Sequence, residues 1–266
     1  NQPNQQISIN PEIPWKYEAL TNNELSTPIS ITYRIFGEGN QHREVTKQIT
    51  LRSINDCVLS YGELNLHDLF AAYINEEHPE IDKILREGIE TGIVDGWRGY
   101  QEDAEMVHRQ VAAIWQALHN RGIKYSDIST NTENSSNLLS QAVRTIDKSL
   151  RTNQANCVDG TILFASILRR INIKTHLILV PGHAYLAYQT SEKNDKQLAY
   201  LDTTLLDKRS LISSNEKNTM TDFQQVLNRG INDHNDRIKN FKNDKKSVLK
   251  ISVDKSRSRI KPIPMF

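Results

Sequence analysis

Cys157, His183 and Asp202 are the residue types that, brought together, make a thiol nucleophile, a proton carrier and an orienting carboxylate. Cys157 stands at the mouth of a helical pattern, after the polar Thr152-Asn-Gln-Ala-Asn156 and directly before Val158, Asp159 and Gly160. Sulfur at a helix N-terminus faces the positive end of the macrodipole, which favours thiolate, the reactive form. His183 follows 26 positions later, just after Pro181-Gly182, and Asp202 lies 19 positions further on. If His183 to Tyr188 pairs antiparallel with Leu198 to Thr203 across an even-length loop, positions 183 and 202 share one sheet face, opposite or diagonal. A carboxylate so placed fixes the imidazole and stabilises its protonated form, leaving the other ring nitrogen to take the thiol proton.

These residue types also have uses outside that chemistry. A free cysteine most often serves as a small apolar filler, and Cys57, in a strand-like segment without nearby partners, keeps that reading. Cys157, His183 and Asp202 lack the close paired spacing of common zinc motifs. His176, seven positions before His183 and across the Pro-Gly break, is expected to face elsewhere and to pack. His67, His78, His108, His119 and His234 sit singly on helical patterns and read as surface or internally satisfied side chains. Trp97, in Gly96-Trp-Arg-Gly99, is a loop aromatic expected to pack on the core rather than line a cleft.

The elements that must position the three residues follow from hydrophobic period. Val158 to Ile171 is apolar around almost its whole circumference, the mark of a buried helix. Strand-like runs follow at 174–180, 183–188 and 197–203, the first stopped by Pro181-Gly182. Upstream, Val107, Val111, Ile114, Trp115 and Leu118 form one stripe of a helix over 102–121, with Gly122 at the C-cap. Two short helices are expected between Asn65 and Gly92, a loop from Ser126 to Ser136, and a short helix from Leu138 to Leu150. Alternation at Ile29, Ile31, Tyr33 and Ile35, and at Val45, Ile49 and Leu51, predicts a small antiparallel unit about the turn Gly37-Glu-Gly-Asn40. The pattern therefore divides the chain into a β-rich unit, 1–62, and a larger part, 63–266.

Composition removes several classes. A chain of 266 residues can bury a large core without disulfides or a structural metal. With 33 basic and 32 acidic side chains it has no overall field to attract nucleic acid, and no nucleic-acid partner is expected. The longest apolar segment, Ile162 to Leu168, is seven residues and contains Ser166, so no transmembrane segment is expected. Two cysteines could form one bridge but carry no framework. The start at Asn1, without methionine, is the pattern left by a removed leader or anchor and suggests an extracytoplasmic or envelope-associated chain. Ten Lys or Arg face two Asp between Arg237 and Lys261, a run whose default reading is a solvated surface and whose alternative is an anionic surface partner. Strand-like Val248 to Val253 and the closing Pro262-Ile-Pro indicate that part of this segment is folded.

Three blocks carry a family resemblance: Asn156-Cys-Val-Asp-Gly-Thr-Ile-Leu-Phe-Ala-Ser-Ile-Leu-Arg169, Val180-Pro-Gly-His-Ala-Tyr185 and Tyr200-Leu-Asp-Thr-Thr204. They resemble the transglutaminase-like superfamily, bacterial members included, which is related to papain-type cysteine proteases. The likeness covers roughly Arg144 to Thr204, and the helix ending at Gly122-Ile-Lys-Tyr125 resembles that family's lead-in helix. The resemblance implies an α+β fold, with a buried helix against an antiparallel sheet. It implies Cys157 as nucleophile, His183 as general base and then acid, Asp202 as orienting carboxylate, and acyl transfer through a thioester to water or an amine. No cofactor and no metal is implied, and the partner is a peptide or protein substrate whose amide bonds are cleaved or exchanged. Hydrolysis is slightly favoured over crosslinking because water is always abundant. The backbone N–H of Cys157 is one expected oxyanion donor. Gln154 and Gln141 are the side-chain candidates, neither at the papain-type spacing from the cysteine, although Gln141 opens a block, Gln141 to Leu150, similar to the segment preceding the cysteine in bacterial members. The alternatives are a non-catalytic peptide- or protein-binding module on the same fold and a metal-binding structural domain.

Overall fold

The computed structural model of the protein describes residue 14 and residues 16–37, 42–127, 137–207, 219–241 and 248–263. The chain divides into two compact units, the smaller running to Ile54 and the larger spanning Asn55–Ile263.

The smaller unit holds α1 (Tyr17–Thr21) and two ten-residue strands, β1 (Thr27–Phe36) and β2 (His42–Leu51), paired antiparallel from Thr27↔Leu51 to Phe36↔His42. Side chains of a strand alternate between faces, so the register gathers Ile29, Ile31, Tyr33, Ile35, Val45 and Ile49 on one side. On the other side Thr32 meets Thr46 at 2.9 Å and Arg34 meets Glu44 at 2.6 Å. Residues 38–40 of the expected turn lie outside the described residues.

The larger unit is built from helices and mainly antiparallel strands, an α+β architecture. It opens with β3 (Asp56–Tyr61) and β4 (Leu64–Asn65), a 3₁₀ helix (His67–Tyr73), α2 (Pro79–Glu90) and α3 (Ala104–Asn120). β5 (Lys124–Tyr125), β6 (Leu138–Ala142), α4 (Ile146–Thr152), β7 (Gln154–Ala155) and α5 (Cys157–Arg170) follow. Then come β8 (Thr175–Val180), β9 (His183–Gln189), β10 (Leu198–Leu201), a 3₁₀ turn (Thr203–Leu205), α6 (Thr219–Asn240), β11 (Leu249–Ser252) and α7 (Val253–Arg257). The main sheet has the order β10-β9-β8-β11, all neighbours antiparallel. α5 lies on its inner face, with every residue from Val158 to Leu168 buried, among them Phe164 against Trp115 of α3.

Two expectations change in the structure. β3 was grouped with the first unit by a 1–62 division, yet it pairs with β6 inside the larger unit, from Asp56↔Ala142 to Tyr61↔Leu138. Leu138 to Leu150 was expected as one helix, and its first five residues form β6 instead. Leu-Leu-Ser-Gln-Ala has no period to resist pairing, and β3 supplies backbone partners that outweigh helix propensity. The helix shortens to α4, started by Thr145, whose side chain accepts from Lys148 N–H. The expected loop from Ser126 to Ser136 is described only at its first two residues. In the basic segment, Arg257 bonds Glu76 at 3.0 Å and Arg259 bonds Asp68, so these cations serve the fold; residues 242–247 lie outside the described residues.

Candidate active site

The start of α5 is set by a reciprocal cap. Asn156 accepts the Asp159 N–H at 2.9 Å, and Asp159 accepts the Asn156 N–H at 3.0 Å. Asp159 is buried completely and takes two further hydrogen bonds from Arg144, each 2.7 Å, one from its backbone N–H and one from its guanidinium. A buried carboxylate is tolerable only when its oxygens are all engaged in this way. The cap makes Cys157 the first residue of the helix, half-buried, with its backbone N–H among those that have no intrahelical acceptor.

His183 is placed by a tight turn. Val180 pairs with His183 across Pro181-Gly182, and Gly182 adopts φ +74°, a left-handed conformation that glycine enters without steric cost. The β9–β10 register, Leu201↔Leu186, puts position 202 opposite 185 and therefore diagonal to 183 on the same face. Asp202 continues β10 in extended conformation and caps the 3₁₀ turn after it. Its Oδ2 stands 3.0 Å from His183 Nε2, while Oδ1 accepts from Thr204 N–H at 3.0 Å and Thr204 Oγ1 at 2.7 Å.

Gly160, three residues into α5, brings this turn to the helix mouth. A Cβ at Gly160 would sit 2.5 Å from Thr203 Oγ1 and 3.0 Å from Thr203 Cβ, so only glycine permits the approach. One close contact thus couples the segment carrying Asp202 to the turn of α5 that carries Cys157.

The electrostatics follow from these contacts. Burial alone lowers His183, but its hydrogen bond to Asp202, the neighbouring Cys157 and the negative charge of both carry it up to about 9. Burial raises Asp202, and the hydrogen bond and charge of His183, together with Thr204, pull it below the usual carboxylate value. An ionised carboxylate only accepts hydrogen bonds, so Nε2 is the donor and Nδ1 is the nitrogen left for the sulfur. Tyr125, on β5 beside β7, lies close enough that burial and then the charges of Cys157, Asp127 and Asp202 raise its phenol.

Gln141 lies opposite Cys57 in β6, and its amide donates to the Ala142 carbonyl at 3.0 Å. Gln154, half-buried in β7, pairs with Lys124 of β5. Cys57 is buried, and burial pushes its thiol far up, as suits a packing residue; both cysteines are free, so the possible bridge is not formed. His176 shares the sheet face of His183 rather than turning away from it, because His176 pairs with Ala187. It sits four residues along β8 from the position opposite His183, about 13 Å away, and so stays apart from the site. His78, His108 and His119 all have partners, Asp147, Tyr188 and the Leu206 carbonyl. Trp97 packs its ring edge on Gly88 and lies half-buried against the core, yet it also lines a cleft at the far end of α5.

Two clefts, of about 640 and 430 Å³, open at the far end of α5 around Arg170 and Asn172, the larger also lined by Arg169. That is thirteen residues from Cys157, about 20 Å along the helix axis. Arg169 and Arg170 are already paired with Glu76, Asp254, Glu77 and Asp82. Among the described residues no group of three His, Cys, Asp or Glu side chains is placed to hold a metal ion, and no helix is long and apolar enough to cross a membrane.

Gly160, Thr204, Tyr125, Tyr185 and the Arg144–Asp159 pair carry no signature of period or motif in the sequence. Only the Asn156–Asp159 cap was readable, as a capping residue three positions before an acid. No family model, curated protein sequence or solved structure matches the chain.

Proposed function

We propose that the chain is a transglutaminase-like cysteine hydrolase or acyltransferase acting on amide bonds of peptides or proteins, its core a papain-type arrangement of buried helix and antiparallel sheet. The observation that carries this reading is His183 held by Asp202 at 3.0 Å through Nε2, with Cys157 at the mouth of α5 near enough for its charge to raise the imidazole. A residue merely packing in a core has no need of a cysteine on one side and a carboxylate on the other.

In this mechanism the Cys157 thiolate attacks the carbonyl carbon, and the resulting oxyanion is met by the Cys157 N–H and its neighbours at the helix N-terminus. Collapse breaks the C–N bond, the leaving nitrogen takes the proton of the His183 imidazolium, and an acyl thioester remains on the sulfur. Neutral His183 then removes a proton from water or an amine, which attacks the thioester and restores the thiolate–imidazolium pair. Water as acceptor gives hydrolysis, the outcome slightly favoured by its abundance; an amine gives transamidation.

The test is acyl-enzyme formation with p-nitrophenyl acetate. Wild-type protein is expected to carry the acetyl group on Cys157, located by tandem mass spectrometry, and to release it to water or to added dansylcadaverine. Cys157→Ala should abolish the burst, and His183→Ala should slow it about 100-fold, the size of a lost general base. A burst no faster than that of a small-molecule thiol, unmoved by His183→Ala, would overturn the proposal.

A further inference from the structure

We infer that Tyr185 and His234 form a positioning unit for the His183 imidazole, clamping its plane from a second helix. The inference rests on the reading of Cys157 and His183 as a working pair. A single hydrogen bond from Nε2 to Asp202 fixes one corner of the ring and leaves it free to swing about that bond, carrying Nδ1 away from the sulfur. A second constraint on the ring face is needed, and the structure contains one.

Tyr185 is two residues after His183 in β9 and therefore on the same face. Its ring lies 5.9 Å from the imidazole, centroid to centroid, inclined by 27°, and Tyr185 is 3 % exposed. That distance is within the range where an aromatic face attracts a cation, so the contact favours the protonated imidazole as well as restricting its swing. Tyr185 is itself held at its far end, where its hydroxyl bonds His234 Nδ1 at 2.8 Å. His234 comes from α6, stacks on Tyr200 at 3.8 Å with 16° between planes, and meets Tyr185 edge-on.

The helix is seated for this purpose by Gly230, one turn before His234 on the same side of α6. A Cβ there would lie 2.2 Å from the Tyr200 carbonyl oxygen, so the helix reaches the strand only through glycine. The charges facing the stack are Asp202, Asp233 and Arg237 about Tyr185, and Lys250 about His234. Burial raises the phenol and, with Lys250, lowers His234, directions that favour a phenol that donates and an imidazole that accepts. None of these groups touches the sulfur, so each acts through His183.

The test is the pH–rate profile for alkylation of Cys157 by iodoacetamide, read by mass spectrometry on the full chain. Tyr185→Leu is expected to slow alkylation at pH 6 about tenfold and move the acid limb up by about one unit, the effect of one lost aromatic contact on a cation. Tyr185→Phe and His234→Ala should give smaller shifts in the same direction, and the double variant should match the single ones, because both remove the same hydroxyl anchor. His183→Ala in parallel separates the two readings. A profile altered by His183→Ala but identical in folded Tyr185→Phe, Tyr185→Leu and His234→Ala overturns the positioning role alone. A wild-type profile indifferent to His183→Ala overturns the catalytic pair beneath it. Should Tyr185→Leu fail to fold, the Tyr185→Phe and His234→Ala profiles decide.

Discussion

Replacing Asp202 by Asn should cost far more than the loss of one charge. In the structure Oδ1 already accepts two hydrogen bonds from Thr204, so an Asn at 202 keeps its carbonyl oxygen there and turns its NH₂ toward His183. Two donors cannot face each other, so Nε2 must become the acceptor and the neutral ring must carry its proton on Nδ1, pointing at the sulfur. That tautomer cannot take the thiol proton. The magnitude follows from the imidazole itself, which is raised from an ordinary 6.5 to about 9. That difference is worth about 3–4 kcal/mol, or roughly a 300-fold change in the ratio of protonated to neutral imidazole. Asp202 supplies the first of the bonds that raise it. The assay is titration of ¹³Cε1-labelled His183 by NMR beside the iodoacetamide pH–rate profile of Cys157. Wild type should titrate near 9, and Asp202→Asn should titrate at or below the value of a free imidazole, with alkylation at pH 6 to 7 slowed about 100-fold. A His183 that titrates near 6.5 in wild type, or equally in both proteins, refutes the reasoning.

Three further perturbations follow from the same contacts. Gly160→Ala should destabilise the larger unit by about 1–3 kcal/mol in urea unfolding, because its new Cβ overlaps Thr203, and should reduce Cys157 reactivity beyond that loss as Asp202 is pushed from His183; full reactivity would show that the close approach does not set the carboxylate. Asp159→Ala should cost about 3–5 kcal/mol in the same assay, since it leaves the Arg144 guanidinium and two backbone N–H groups without their partner; a loss below about 1 kcal/mol would contradict the buried-pair account. Because His183 is raised on folding, its contribution to stability is fully present below about pH 6.5 and disappears as pH rises through about 9, whereas that of the lowered Asp202 is present above about pH 4 and lost as pH falls through its folded value. Unfolding of wild type and His183→Ala compared across pH should converge at the alkaline end and separate at neutral and mildly acid pH; a pH-independent difference would sink the linkage.

Much of the site was legible because its placement depends on local rules. The eight residues between β9 and β10 form an even loop, and parity alone put positions 183 and 202 on one face. Pro181-Gly182 announced the tight turn that makes His183 the first residue of its strand, and the unbroken apolar circumference from Val158 announced a buried helix behind Cys157. His176 differs from expectation because the Pro181-Gly182 break does not turn its side chain away: a tight antiparallel turn returns alternate residues to the same face. Leu138 to Ala142 was misread for a different reason: five residues without strong period take the conformation of whatever backbone lies beside them, and β3 is distant in sequence.

By itself the amino-acid order determined the residue types, the face each strand residue takes, the helix whose first turn carries the sulfur, and the cap that starts it. The tertiary structure alone decided which groups meet: Thr203 against Gly160, Arg144 against Asp159, Thr204 holding one carboxylate oxygen so that the other faces His183, and His234 reaching Tyr185 from α6. The division has a physical cause. Period, capping and turn conformation are short-range preferences written into a few neighbouring residues, whereas a close approach or a shared hydrogen bond between segments depends on how the whole chain condenses around its core.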